Sequence, residues 1–220
     1  MPRGRKRFDA GIFISAAIIS TLLFASGIFI GYSINNEKLT SIDDNIRKVT
    51  RDVQNFQIEF LFLDVLGENA TCPLLVETLS GINRDSYEIG NKLESYGSGS
   101  EIQDYNDYVN TKREYSRLLI GYWLLANKLK NTCRMDVDTI VYFYSKDCTK
   151  CEDQSFVLTY FKKMLNEKIL IFALDADLDE PSIQVLKKNY NITEYPSLVI
   201  NGGVYIGYQS KADLERTLNL

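Results

Sequence analysis

The sequence predicts an α/β domain of order β-α-β-α-β-β-α over residues 136–220, preceded by an apolar N-terminal helix and an all-α helical region. Three observations carry this expectation. At Asp136 the long helical periodicity gives way to short alternating elements. A Cys-x-x-Cys, Cys148-Thr149-Lys150-Cys151, falls between the apolar run Thr139–Tyr144 and the amphipathic stretch Phe156–Leu165. Residues 11–34 contain no charged side chain. The expected organisation is a cytoplasmic basic tail (1–10), a transmembrane signal anchor (11–34), an extracytoplasmic three-helix region (35–135) and the α/β domain (136–220).

As a helix, Gly11 to Ile34 is about 36 Å long, enough to cross a hydrocarbon core of about 30 Å with some tilt. Arg3, Arg5, Lys6 and Arg7 precede it, whereas Asn35, Asn36, Glu37 and Lys38 follow, so the positive-inside rule places the N-terminus in the cytoplasm and the rest outside. A cleaved signal with Ala25-Ser26-Gly27 at its small-x-small site is the alternative, and both readings export the same globular part. The Gly27-x-x-x-Gly31 spacing lets two membrane helices approach closely, so a homodimer through Gly27 and Gly31 stands beside a monomeric anchor.

The formal charge is −4, and without the basic first ten residues the remainder is near −7. It carries no basic block of the kind that tracks nucleic acid, which argues against that partner. Histidine is absent, which excludes Ser-His and Cys-His catalytic pairs and every His-containing metal site.

In the helical region, Leu39, Ile42, Ile46, Val49, Val53, Phe56, Phe60 and Leu63 recur at spacings of three and four. They define one apolar seam, on a helix entered near Thr40 to Asp43 after a break at Asn35-Asn36 and ended near Gly67. The seam suits an intramolecular bundle, with a two-stranded coiled coil as the alternative. A second helix is expected from Pro73, taken as its first position, to about Tyr96, and Gly97-Ser98-Gly99-Ser100 then interrupts. A third is expected from Glu101 to about Asn131, antiparallel to the second. That hairpin brings Cys72 and Cys133 to one end of the bundle, where a disulfide would close a loop of about 60 residues and contribute roughly 4 kcal/mol. Structural stapling is the expectation, and a second redox station the alternative.

In the α/β domain, strands are expected at 137–144, 169–174, 197–200 and 204–208, the last two around the hairpin signal Asn201-Gly202-Gly203. Helices are expected at 149–166, 181–190 and 211–218. Cys148 and Cys151 then lie at a strand-to-helix junction, where a helix N-terminus stabilises a thiolate and a second sulfur one turn away can capture it. Asp175, Asp177, Asp179 and Glu180 read as a solvated loop, since they lack the glycine and terminal glutamate of an EF-hand. Asn69-Ala70-Thr71 and Asn191-Ile192-Thr193 are glycosylation sequons.

Together, the Cys-x-x-Cys after the first strand, the segment Asn191–Ile200 with Pro196, the glycine-containing turn and Gly207 resemble a minimal thioredoxin-like domain over residues 136–220. The resemblance implies a thiol-disulfide oxidoreductase. Cys148 would be the nucleophile and Cys151 the resolving cysteine, and Pro196 would be a cis proline beside the dithiol. The charges of Lys146 and Lys150, opposed by Asp147, are expected to lower the Cys148 pKa. Tyr195, Pro196, Thr149 and Lys150 would contact substrate. No cofactor and no metal are implied; a zinc site would need Cys72 and Cys133 to join Cys148 and Cys151. Substrates would be cysteines of exported proteins, with a separate redox partner recycling the dithiol. Tyr142 stands where many thioredoxins keep a buried acid, Thr149-Lys150 is neither Gly-Pro nor Pro-His, and the family's usual first strand and helix are missing. A non-catalytic binding module of a membrane complex is the alternative.

Overall fold

A computed structural model describes residues 10–98 and 105–220, in two compact units, Met1–Ser41 and Ile42–Leu220. The basic residues of the N-terminal tail, the Gly99-Ser100 turn and the expected start of the third helix at Glu101 lie outside the described residues. In the first unit, Phe13–Gly31 has a mean hydropathy of 2.2 and none of it is buried. By length and composition this segment could cross a membrane. Helix α1 spans Ala10–Glu59, and its backbone is helical through Asn35 and Asn36, where the sequence reading expects a break. Asn costs a helix interior only about 0.7 kcal/mol against Ala, too little for two of them to stop an otherwise favourable run.

The second unit holds α2 (Phe62–Leu66), α3 (Glu68–Ser98) and α4 (Tyr105–Cys133). Gly67, at φ +79°, ends α2 with its N–H on the Leu63 carbonyl. Helix α3 begins at Glu68 and takes Pro73 into its interior, five residues earlier than the sequence reading places the start. The turn ahead of the proline is closed by Thr71 N–H on Gly67 O at 3.2 Å, so Pro73 forgoes only one bond close to the helix end, where its lack of an N–H costs least. The expected seam is buried from Ile42 to Phe60 and shares one core with Leu75, Leu79, Ile82, Ile89 and Leu93 of α3 and Leu118, Tyr122, Leu125 and Leu129 of α4. Each fully buried Leu or Phe in that core contributes about 1.5–3 kcal/mol. The seam therefore meets partners within its own chain. Cys72 and Cys133 are disulfide-bonded with Cα atoms 5.7 Å apart, joining the start of α3 to the end of α4 as the antiparallel hairpin requires.

The remaining elements are β1 (Asp138–Tyr144), α5 (Cys151–Leu165), β2 (Ile169–Asp175), α6 (Pro181–Asn189), β3 (Ser197–Ile200), β4 (Gly203–Ile206) and α7 (Lys211–Thr217), with a 3-10 turn at Asn166–Lys168. Their small mixed sheet has the order β2-β1-β3-β4: β1 and β2 run parallel, while β3 is antiparallel to both β1 and β4. Parallel strands need a crossover, which α5 supplies. Boundaries differ from the sequence reading by one or two residues, as element ends do. Asn201 at φ +50° and Gly202 at φ +89° form the β3–β4 turn, whose two left-handed positions suit the twist of a tight hairpin.

Alternation along β1 divides the core. Ile140 and Tyr142 pack with Leu158 and Phe161 of α5 and Leu214 of α7, whereas Val141 and Phe143 join Phe172, Ile183 of α6 and the helical bundle. Tyr122 of α4 meets Phe172 edge to face with ring centroids 5.0 Å apart. Helix α4 thus covers the sheet face that carries α6, and the helical region and the sheet share a core.

Candidate functional site

Strand β1 ends at Tyr144, and the turn that follows carries Cys148 to the start of α5, whose first residue is Cys151. The two cysteines form a disulfide with Cα atoms 5.4 Å apart. Cys148 is half-buried and Cys151 is buried, so the outer sulfur is the accessible one. Cys148 N–H donates to Ser145 O at 3.3 Å and Cys151 N–H to Cys148 O at 3.4 Å, winding the turn into the helix. Lys150 occupies the N-cap without a side-chain cap, so N–H groups of the first turn stay available to a negative charge. Glu152 and Asp153 lie in that same turn and oppose the helix dipole's attraction for a thiolate.

Thr149 and Lys150 are exposed, and Lys150 pairs with Asp153 at 2.9 Å. Tyr195 is half-buried and packs against the apolar cluster that contains Cys151 and Cys148, and the Tyr195–Pro196 peptide is cis with Pro196 buried. The fold thus assembles Cys148, Cys151 and Tyr195 in one cluster and leaves Thr149 and Lys150 at its rim.

Beneath the pair, Tyr142 is buried and its hydroxyl donates to Cys151 O at 2.7 Å. Burial, reinforced by neighbouring Tyr144, pushes the Tyr142 phenol well above its ordinary range, so it is a donor and not a base. The Tyr144 phenol is pushed up to about 12 by burial, with Lys112 opposing the shift.

Two features escape the sequence reading. Gln154, fully buried, accepts from Gln209 N–H at 2.7 Å and donates to Gln209 O at 3.3 Å, clamping the first turn of α5 to the segment before α7. The only local signal was an amide on the inward side of an amphipathic helix. The second is a partial correction: in the acidic run Asp177 and Asp179 are exposed, as a solvated loop expects, but Glu180 is buried and Asp175 largely so. Asp175 pairs with Lys112 of α4, and Asp177 accepts from Lys146 N–H at 2.7 Å and Ser145 Oγ at 3.1 Å. Glu180 is buried and binds Arg117 Nη2 at 2.9 Å and Ser182 Oγ at 3.0 Å. Burial raises the Glu180 carboxyl, but Arg117 and Ser182 outweigh it and hold the group below its usual value.

Cys133 precedes β1 and Cys148 follows it, so a seven-residue strand of about 20 Å separates the two disulfides along the chain. Among the described residues no cluster of cysteines and carboxylates is placed to hold a metal.

No family model and no curated protein matches this chain. Solved structures similar to it include a malarial protein, with 20% identity and a TM-score of 0.33 over 38% of this chain and 93% of that one. Another is thioredoxin-2, a component of the malaria parasite protein secretion machinery, at 19% identity and a TM-score of 0.33 over 38% and 82%. A third is thioredoxin O2 from Arabidopsis thaliana in the oxidized state, at 17% and 0.31 over 38% and 74%.

Proposed function

We propose that this protein is a membrane-anchored, extracytoplasmic thiol-disulfide oxidoreductase acting on cysteines of exported proteins. The observation that carries the reading is the Cys148–Cys151 disulfide at the N-terminus of α5, with its outer sulfur accessible and its inner one buried. In the reducing direction, the Cys148 thiolate attacks one sulfur of a substrate disulfide, forming a mixed disulfide and releasing the other sulfur as a thiolate. The Cys151 thiolate then attacks Cys148 Sγ, which re-forms the internal disulfide and releases the substrate as a dithiol, two electrons having passed to it. The reverse sequence oxidises a substrate dithiol. A separate redox partner closes either cycle. Thr149, Lys150, Tyr195 and Pro196 form the substrate-contacting rim, and the Cys72–Cys133 bridge is a structural staple.

Phe13–Gly31 serves as the anchor, with Arg3, Arg5, Lys6 and Arg7 on the cytoplasmic side. A homodimer through Gly27 and Gly31 is compatible with their open surroundings, where an added Cβ would meet nothing within 4 Å. A second reading, a binding module without redox activity, draws support from the neutral Tyr142 beneath the inner cysteine, whose hydroxyl donates to Cys151 O and is not a base for a thiol proton.

The deciding experiment is a redox titration of the full chain in detergent across graded glutathione buffers, with differential alkylation and mass mapping of all four cysteines. Cys148 and Cys151 titrating together, with Cys72 and Cys133 staying oxidised, supports the oxidoreductase, and the midpoint gives its direction. A Cys148 pair that never responds favours the binding module.

A further inference from the structure

The helical region reaches the redox turn through a continuous chain of polar contacts. Lys112, on α4, is largely buried and pairs with Asp175 at the end of β2; its ammonium also lies 5.7 Å from the Tyr144 ring centroid and 5.8 Å from that of Tyr108. The second oxygen of Asp175 accepts from Asp177 N–H at 3.0 Å. Asp177 Oδ2 in turn takes Lys146 N–H at 2.7 Å and Ser145 Oγ at 3.1 Å, and Ser145 O receives Cys148 N–H at 3.3 Å. Ala176 N–H on Tyr144 O at 2.8 Å holds the two strand ends together at the same level. Every link from α4 to the backbone of the outer cysteine is thus a hydrogen bond or an ion pair. The first is shielded from water, where such contacts are stronger.

We infer that Lys112 is a positioning residue for the dithiol: by holding Asp175 it sets the loop carboxylate Asp177 that shapes the Ser145–Cys148 turn, and so fixes how Cys148 is presented to a partner sulfur. The inference rests on the oxidoreductase reading and gives the helical region a part in the chemistry beyond spacing the domain from the membrane. Lys112 touches neither sulfur in this chain of contacts. Its effect on Cys148 is transmitted by the backbone of the turn, and in-line sulfur-to-sulfur displacement is sensitive to such placement.

The test compares full-length wild type with Lys112→Met, Lys112→Arg, Asp177→Ala and Lys130→Ala, in detergent with Cys72–Cys133 intact. Lys130 is the control because it joins α4 to Asn201 at 2.9 Å, at the other end of β1. The readouts are the rate of the reduced protein with oxidised glutathione and the pH profile of Cys148 alkylation by iodoacetamide. Lys112→Met should slow exchange about tenfold and displace the alkylation profile. Lys112→Arg should restore most of the rate, Asp177→Ala should reproduce the defect, and Lys130→Ala should match wild type. A folded Lys112→Met with wild-type rate and profile overturns the inference, as does an equal loss in Lys130→Ala. Should Lys112→Met fail to fold, Asp177→Ala decides, since that side chain is on an exposed loop: an unaltered rate and profile there also overturn it. If wild-type Cys148 itself does not exchange, the oxidoreductase reading falls and the inference with it.

Discussion

The Tyr142 hydroxyl donates to the Cys151 carbonyl oxygen at 2.7 Å, tying strand β1 to the first residue of α5 inside the core. Phenylalanine at this position keeps the ring and leaves a buried carbonyl without that donor. Tyr142→Phe should therefore lose about 1 kcal/mol of stability in the oxidised protein. Denaturant unfolding measures this, and an unchanged midpoint would show that the bond contributes nothing.

The two cysteines of the Cys148 pair should fail in different ways. Cys148→Ser should abolish exchange with oxidised glutathione, whereas Cys151→Ser should accumulate a mixed disulfide visible on non-reducing gels. Turnover retained by the first variant would remove the oxidoreductase reading.

The bridge at the other end of β1 should matter for folding alone. Replacing both Cys72 and Cys133 by Ser opens a loop of sequence separation 61 and should cost roughly 4 kcal/mol, with the midpoint of the Cys148 pair unmoved. A displaced midpoint would instead couple the two disulfides.

Tyr122 is buried and its hydroxyl has no hydrogen-bond partner among the described residues. Tyr122→Phe removes that unpaired group while keeping the edge contact with Phe172, and should stabilise by up to about 1 kcal/mol. Tyr122→Ala should cost about 3–5 kcal/mol through the cavity it leaves. Thermal unfolding of both variants tests the pair of signs.

Lys162 provides a dependence on pH. Burial draws its ammonium down from 10.5 to about 8, although Asn83 Oδ1, Asn166 O and Ile169 O each accept from it. Because the folded value lies below the unfolded one, the unfolded chain binds more protons between the two values, and stability rises with pH through that window. Wild type measured against Lys162→Met should accordingly gain stability from about pH 8 to about 10.5 and differ by a constant amount below pH 7. A flat difference across the window would mean that the three acceptors hold the charged form as well as water does.

Local patterns foretold much of this architecture. The spacing from Ile42 to Phe60 identified a buried seam, and Asn201-Gly202 marked the hairpin, because burial on one helix face and left-handed turn positions leave a signature within a few residues. The Cys-x-x-Cys announced itself equally. What stayed hidden depends on partners far away in the chain. Asp175 and Glu180 look like any acidic loop until Lys112 and Arg117 arrive from α4, and Gln154 until Gln209 closes on it. Asn35 and Asn36 misled in the opposite sense, since a weak local preference yields to a long helix.

The cover that α4 lays over the sheet bears on how the molecule can be divided. A fragment beginning at residue 136 would keep every cysteine of the redox pair and the whole sheet, yet Val141, Phe143, Leu170 and Phe172 would lose their bundle partners to water. Such a piece should be prone to stick to itself through that bare face. The compact unit that holds the sheet therefore takes in the helices as well, from Ile42 onward.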